Sequence, residues 1–304
     1  MITVLCGGVG AARLLRVLRH ADAATQLNAV VNVGDDLVLH GLIICPDLDT
    51  ILYTLAGLNN DAAGWGLRDE SFRVMASLET LGGETWFRLG DRDLATHLYR
   101  THRLAAGATK TMVSAELASS LGVDVALLPV TDDPVSTVFQ TSIGPLTFQE
   151  YFVRHRHAVA VARIDVIGAA QARPTDATIE ALERARRIVI APSNPLISID
   201  PLLRVAGVRD VLRRRRDDVV AISPIVNGTA LKGPADRLLA ELGYDVSCVG
   251  VADVYGDLVG TWIIDDADER HANALRQRGH AVLVTSTVMG TPADDARLAA
   301  AVLS

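Results

Sequence analysis

The sequence predicts an α/β protein with a doubly wound, Rossmann-like and mostly parallel sheet and a helical insertion. Three observations predict this fold class. A short apolar strand at 2–6 runs through glycines directly into an amphipathic helix. Apolar runs and helical patterns then alternate along the C-terminal part of the chain. Between these two parts, 49–121 shows helical patterns with glycine breaks and no β-rich run.

The first half of the chain divides into a sheet-forming start and a helical middle. The first helix is predicted over 11–18, and a second strand at 27–31 would pair with the first strand in parallel. Helices of the middle part are predicted at 48–55, 68–81 and 91–106. We therefore expect a Rossmann-like α/β core, formed by 1–55 and 122–304. The mainly helical insertion, 56–121, would act as a cap.

The second half of the chain alternates strands and helices. Strands are predicted at 125–129, 135–140, 146–152, 158–164, 188–191, 219–222, 246–251 and 282–285, of which the second and third would form a hairpin. Helices are predicted at 176–185, 201–216, 234–242, 267–277 and 294–302. This alternation predicts one doubly wound sheet with helices on both faces.

Composition excludes several classes of protein. The 304 residues carry a net charge of −7, and only Lys110 and Lys232 of the 29 basic residues are lysines, so a broad nucleic-acid-binding face is not expected. No apolar run approaches the roughly 20 residues of a membrane helix, and no secretory signal is visible, so we expect a cytoplasmic protein without a membrane partner. The three scattered cysteines are interpreted as buried apolar thiols.

The first candidate site is the glycine turn formed by Gly7, Gly8 and Gly10. Glycines let a ligand approach the backbone, and a helix N-terminus offers free amides to an anion such as phosphate. The alternative is a tight turn between strand and helix. The spacing matches neither the dinucleotide fingerprint nor the P-loop.

Two pairs of carboxylates form the next candidates. Asp35 and Asp36 follow the second strand, where a ribose, a base or a metal would bind, although a turn or helix cap explains them equally well. Asp47 and Asp49 precede or begin a helix beside Thr50. They are interpreted either as a Mg²⁺ site or as ordinary helix-capping carboxylates.

Further polar groups lie in later loops. Trp86 and Phe87 stand beside Arg88 in a segment that suits a flat heterocycle. His97 belongs to the same segment, and its alternative interpretation is a surface histidine. Ser193, Asn194, Ser198 and Lys232 follow buried strands, at the edge where the ligand crevice is expected. A solvent-exposed Lys232 without a role is the alternative.

These six ordered motifs resemble the 2-phospho-L-lactate transferases of coenzyme F420 biosynthesis, most closely the actinobacterial branch described as phosphoenolpyruvate transferases. The motifs are Gly7–Gly10, 32–36, 46–50 with 53–57, 88–93, 193–195 with Ser198, and 223–226 with 232–234. The resemblance implies transfer from a guanosine diphosphate ester of lactate or enolpyruvate to the ribityl hydroxyl of the deazaflavin Fo (7,8-didemethyl-8-hydroxy-5-deazariboflavin). GMP would leave, Mg²⁺ would be required, and the protein would be a homodimer.

The resemblance also assigns roles to residues. Asp49 and Arg88 would contact the deazaflavin, and many relatives have Lys at the second position, so that the geometry of this contact differs. We extend the deazaflavin site to Thr50, Gly90 and Asp91. From the residue chemistry we further hypothesise that Asp49 orients the attacking hydroxyl and that Asp49, with Asp35 or Asp36, holds the metal. The nucleotide site would comprise Gly7, Gly8, Gly10, Arg13, Asp35, Asp36, Ser193, Asn194, Ser198 and Lys232.

Two other functions remain open from sequence. A related family of nucleotide-sugar-binding regulatory proteins is similar around the glycine turn and 34–36. A Rossmann-type oxidoreductase is the second alternative, but the missing dinucleotide fingerprint disfavours it. No residue discriminates enolpyruvate from lactate.

Overall fold

The computed structural model describes residues 1–61 and 64–304. Its strands, in chain order, are β1 (Ile2–Cys6), β2 (Leu27–Val31), β3 (Leu37–Leu39), β4 (Leu42–Ile44), β5 (Ala126–Pro129), β6 (Ser136–Thr141), β7 (Gly144–Thr147), β8 (Val161–Ile167), β9 (Arg187–Ile190), β10 (Val219–Ile222), β11 (Ile225–Val226), β12 (Thr229–Ala230), β13 (Thr261–Ile264) and β14 (Ala281–Val284). Its α-helices are α1 (Gly8–Ala21), α2 (Pro46–Leu55), α3 (Arg73–Thr80), α4 (Asp91–Ala105), α5 (Lys110–Ser120), α6 (Asp176–Arg184), α7 (Asp200–Arg204), α8 (Val208–Arg214), α9 (Ala235–Glu241), α10 (Cys248–Tyr255), α11 (Ala272–Gln277) and α12 (Pro292–Leu303). Short π-helical turns span Glu150–Arg154 and Pro195–Ile199, and 3₁₀ turns span Arg216–Asp218, Gly256–Leu258 and Asp266–His271.

The central sheet has seven parallel strands in the order β14-β13-β10-β9-β1-β2-β5. The chain builds outward from β1 through β2 to β5, then returns to β9 on the other side of β1 and continues to β14. The strand order therefore reverses between β1 and β9, and ligands of such sheets bind beside this point, at the carboxyl ends of the strands. The predicted fold class is confirmed.

Alternating side chains of the central strands pack against helices on both faces of the sheet. Leu5 of β1 and Ile190 of β9 face the cluster that includes residues of α6 to α11. Val4 and Val189 face the opposite cluster, formed with α1, α2 and α12. All four side chains are fully buried, and burying one such side chain contributes about 1.5–3 kcal/mol.

Smaller sheets and a satellite core surround this sheet. Strands β6, β7 and β8 form an antiparallel sheet, and β3 with β4 forms a hairpin. The hairpin packs on Met75 and Leu94, of α3 and α4, in a separate apolar cluster. Ala118 of α5, by contrast, belongs to the cluster formed with α1, α2 and α12. The apolar core on that face of the sheet therefore extends into the predicted cap at 56–121.

One predicted strand is wrong. The residues 246–251 mostly lie in α10, whose first turn is capped by the hydroxyl of Ser247, which accepts hydrogen bonds from the amides of Val249 and Gly250 at 3.1 and 3.2 Å. Because α10 is largely buried, it lacks the polar face that identifies a helix in a sequence.

Other predicted elements also need correction. Residues 158–164 contribute to β8 in the three-stranded sheet instead of the central one. The second hairpin strand ends at Thr147, and a π-helical turn replaces its predicted continuation. The helix predicted over 201–216 breaks at Gly207, whose φ of 88° lies in the left-handed region. Strand β13 was not predicted.

The three cysteines are free and buried, as expected from the sequence. Burial raises the pKa of each thiol, that of Cys248 to about 12. Within 1–61 and 64–304, no helix is both long and apolar enough to cross a bilayer.

Candidate functional site

The glycine turn between β1 and α1 is fixed by side chains from two other elements. The amide of Gly8 donates to Asp47 Oδ1 at 2.7 Å, and the hydroxyl of Ser193 donates to the carbonyl of Gly7 at 2.8 Å. A Cβ on Gly7 would lie 2.5 Å from Asp47 Oδ2 and 3.0 Å from Ser198 Cβ. Gly8 has a φ of 73°, which favours glycine. Both glycines are therefore required by the local structure.

Asp47, which sequence reasoning left as a helix cap or a metal ligand, lies at the centre of this turn. It accepts hydrogen bonds from Gly8 and from Asn32 Nδ2, the latter at 2.9 Å. Burial raises the pKa of Asp47 to about 6, against the opposing effect of these hydrogen bonds. A carboxylate held in this position is costly to ionise unless a positive charge lies nearby.

Asp35 and Asp36 extend this acidic group at the end of β2. Asp35 is only 4% exposed, and its Oδ1 has no hydrogen-bond partner among the described residues. Burial raises the pKa of Asp35 well above its usual range, and the charges of Asp47 and Asp36 raise it further. Asp36 forms an ion pair with Lys110 at 2.5 Å. Lys110 thus pairs with Asp36, and the unpartnered oxygen of Asp35 can accept a cation.

Asp49 lies in a different environment from Asp47, although both belong to the first turn of α2. Its carboxylate forms a buried ion pair with Arg100 of α4, through both guanidinium nitrogens, and Nη1 lies 3.1 Å from Oδ2. His97 Nδ1 lies 3.7 Å from Asp49 Oδ2, and His97 Nε2 lies 3.2 Å from Asp93 Oδ2. Tyr53 donates to Asp93 at 2.6 Å. These five residues, here called the buried polar network, join α2 to α4.

The buried polar network changes the interpretation of two residues. His97 is 1% exposed, so its prediction as a surface histidine is wrong. Asp49, Asp93 and His97 each offer a ligand atom within 4.8 Å of the others, but Arg100 already neutralises Asp49. Burial raises the pKa of Asp49, while Arg100 opposes that shift. The network therefore fixes Asp49 in one orientation.

A cleft runs from the start of α1 along α2 to the loop that follows it. It is lined by Val9, Arg13, Thr50, Tyr53, Thr54, Asn59, Asn60, Asp61, Gly64, Trp65 and Gly66. Lys232 is exposed, and its Nζ lies 3.5 Å from the position that a Cβ on Gly64 would occupy. The structure therefore brings the predicted residues Arg13, Thr50 and Lys232 to the same cleft.

The predicted residues after β9 shape the glycine turn from the other side. Asn194 accepts a hydrogen bond from the amide of Leu196 at 3.0 Å, which caps the π-helical turn. Its buried Nδ2 has no partner within 1–61 and 64–304. Ser193 and Ser198 contact Gly7 as described above. The Nδ2 group of Asn194 is therefore a donor that a ligand at the switch point of the sheet could use.

Gly90 and Asp91 have well-defined structural partners. The carboxylate of Glu70 accepts hydrogen bonds from the amides of Arg92 and Asp93, at 3.0 and 2.8 Å, and so caps α4. Asp91 in turn accepts from Ser71 and from the first amides of α3. A Cβ on Gly90 would lie 2.2 Å from the Glu70 carboxyl carbon. The two helices thus cap each other through one carboxylate each.

Arg88 and its aromatic neighbours separate into two environments. Arg88 is exposed and stacks over the ring of Phe72, 4.2 Å from its centroid. Trp86 and Phe87 pack instead against the satellite core around Leu89. Trp86 and Phe87 therefore use part of their rings in packing, and their place in a heterocycle site stays a prediction.

A sequence model of the family described as 2-phospho-L-lactate transferase CofD matches residues 2–293. The chain belongs to this family. It is a transferase of coenzyme F420 biosynthesis, as the resemblance predicted.

Curated relatives and solved structures agree with the family assignment. The phosphoenolpyruvate transferase of Streptomyces coelicolor is 40% identical over 91% of this chain and 89% of its own length. The 2-phospho-L-lactate transferase of Methanosarcina acetivorans is 35% identical, over 94% and 92%. A crystal structure of a UPF0052-family protein from Bacillus halodurans aligns with a TM-score of 0.65 and 16% identity, over 100% and 98% of the two chains, which shows a common fold.

Proposed function

We propose that the protein transfers a phosphoenolpyruvate group from enolpyruvyl-diphospho-5′-guanosine to the ribityl hydroxyl of Fo, which yields dehydro coenzyme F420-0 and GMP. The phospholactate donor is the alternative. The relative from Streptomyces coelicolor, at 40% identity, is named a phosphoenolpyruvate transferase, whereas the less similar archaeal relative is named for phospholactate. This difference in identity favours enolpyruvate as the donor acid.

The observation that carries the proposal is the position of the glycine turn. It lies at the switch point of the sheet, and Val9, within it, lines the cleft that contains Arg13 and Thr50. The Gly8 amide donates to Asp47, but the other amides in the first turn of α1 have no acceptor within their own helix, so a diphosphate can accept their hydrogen bonds. Arg13 and Lys232 add positive charge along the cleft, which a protein of net charge −7 needs locally.

Mg²⁺ fits the acidic group beside this turn. Asp35 has a buried oxygen without a partner among the described residues, and Asp47 has a raised pKa, so a cation would relieve the cost of burying both charges. We propose Asp35 and Asp47 as the metal-binding carboxylates. When bound, Mg²⁺ would neutralise negative charge on the diphosphate.

Asp49 has a separate proposed role. Its ion pair with Arg100 already neutralises its charge, which disfavours the predicted metal role. A carboxylate fixed at the base of α2 can instead orient the attacking hydroxyl, and positioning is the main contribution of a protein to phosphoryl transfer. Thr50, the next residue, lines the cleft.

The experiment that tests this function incubates the protein with Fo, Mg²⁺ and each guanylylated acid in turn. Mass spectrometry should show a gain on Fo that corresponds to the enolpyruvyl phosphate group, together with release of GMP. If Fo gains only the phospholactate group, the donor acid is lactate and not enolpyruvate. No product with either donor would refute the proposed reaction.

Asp35→Asn tests the metal assignment. The variant should require at least tenfold more Mg²⁺ for half-maximal transfer, because one of two anionic ligands is lost. Asp36→Asn is the matched control, since Asp36 is already paired with Lys110. Equal Mg²⁺ requirements in the two variants would argue against Asp35 as a ligand.

A further inference from the structure

The three tryptophans differ in what their rings contact. Trp262 is fully buried in the main core, and Trp86 packs in the satellite core with its Nε1 buried. Trp65, by contrast, is 50% exposed and lines the cleft. Exposure of so large an aromatic ring leaves a flat apolar surface in contact with water.

Trp65 belongs to an aromatic row that leads out of the cleft. Its ring centroid lies 6.4 Å from that of Phe72, at an interplanar angle of 60°. Arg88 covers the Phe72 ring at 4.2 Å. One end of this row therefore lines the cleft, and the other end carries the arginine that the resemblance places against the deazaflavin.

The remaining lining of the cleft is largely polar. Arg13, Thr50 and Asn59 offer hydrogen bonds and charge, whereas Trp65 supplies a broad flat face. A flat heteroaromatic ring joined to a polyhydroxylated chain needs both kinds of surface: an aromatic face for the ring and polar groups for the hydroxyls. The cleft meets these two requirements with residues from different elements.

We propose that Trp65 is the stacking residue for the flat ring of the acceptor, with the acceptor's hydroxylated chain directed along the cleft towards the glycine turn. This inference rests on the proposed function. It places the ring at the Trp65 end and the phosphate groups at the α1 end of one cleft. It also gives Trp65, rather than Trp86 or Phe87, the aromatic contact with the substrate.

Binding of Fo, measured through its own absorption during equilibrium dialysis, tests the proposal. Stacking of a base on an aromatic side chain contributes enough for Trp65→Ala to weaken Fo binding by about tenfold or more. Trp65→Phe retains an aromatic face and should weaken binding by less than about threefold. GMP binding should remain at the wild-type level in both variants, which shows that the nucleotide site is intact.

A matched control and a second readout separate stacking from general packing. Leu81→Ala removes an exposed apolar side chain from the same insertion and should leave Fo binding unchanged. Fo should quench the tryptophan fluorescence of the wild type, and much less that of Trp65→Phe, because Trp262 is buried in the core and Trp86 packs against the satellite core outside the cleft lining.

The outcomes distinguish this inference from the proposed function. If the wild type transfers to Fo and Trp65→Ala binds Fo with wild-type affinity, the stacking role is wrong and the transferase reaction stands. Equal losses of Fo and GMP binding in Trp65→Ala would likewise refute stacking, since they indicate a structural role. If the wild type transfers nothing to Fo, the proposed function itself fails.

Discussion

Removal of Arg100 tests whether the buried polar network holds α2 against α4. The side chains of Arg100 and Asp49 are only 3% and 7% exposed. Arg100→Met keeps most of the apolar volume but leaves a buried carboxylate without its partner, which costs about 3–5 kcal/mol. With an unfolding entropy of about 2.1 cal/mol/K per residue, this cost lowers the melting temperature of the 304-residue chain by about 5–8 °C.

Thermal unfolding followed by circular dichroism at two pH values measures this effect. In Arg100→Met the pKa of Asp49 rises further above its value in the unfolded chain, since the opposing effect of Arg100 is lost. A carboxyl group whose pKa is raised on folding makes the folded protein less stable as the pH rises. The melting temperature of Arg100→Met should therefore lie further below that of the wild type at about pH 8 than at about pH 5.

Two further variants make the prediction refutable. Asp49→Asn in the Arg100→Met background removes the unpaired charge and should recover part of the lost stability. Arg103→Met is the matched control on the same helix, because the ion pair of Arg103 with Glu116 is partly exposed and its loss should lower the melting temperature far less. If Arg100→Met and Arg103→Met melt alike, or if the double variant is less stable than Arg100→Met, the reasoning is wrong.

Three other predictions follow from the site. Gly10→Ala should destabilise the protein by about 1–3 kcal/mol, since its Cβ would lie 2.5 Å from the carbonyl oxygen of Pro192. Gly290→Ala is the control, because a Cβ there would meet open space. Equal melting temperatures of the two variants would contradict this prediction. The metal-free protein should lose stability as the pH rises from about 4 to about 6, because the pKa of Asp47 is raised from 3.8 to about 6. In Asp47→Asn the free energy of unfolding, measured by urea titration, should depend less on pH over this range. Asp49→Asn should lower kcat at saturating Mg²⁺, and near wild-type kcat would exclude an orienting role.

The sequence predicted the place of the site better than its internal arrangement. Glycines, carboxylates and amides that follow strands of a parallel sheet meet at one edge, so Gly7 and Asn194 could be placed there without a structure. Their spacing in the sequence does not reveal which of these groups form hydrogen bonds with one another. The hydrogen bond from Gly8 to Asp47 depends on how α2 packs across the turn, which is a tertiary contact.

Two signals for the network were nevertheless present in the sequence. Residues two apart on a helix are separated by about 200°, so Asp47 and Asp49 had to point to different neighbours. Asp93, His97 and Arg100 recur at helical spacing beside the buried Leu94, which places them on the inner face of α4. Such polar residues on an inner face indicate a buried network, because each needs a partner when it loses water.

The hydrogen bonds of Glu70 and Asp91 close the segment 70–93, which contains α3, into a loop without a covalent bond. Glu70 binds the amides of residues 92 and 93, and Asp91 binds Ser71 and the start of α3, so both ends of this segment are tied at one point. The closure entropy of a loop grows only logarithmically with its length. Residues inserted at the exposed Gly82 would therefore leave the closure intact, and this turn is a suitable place for a label or a peptide tag.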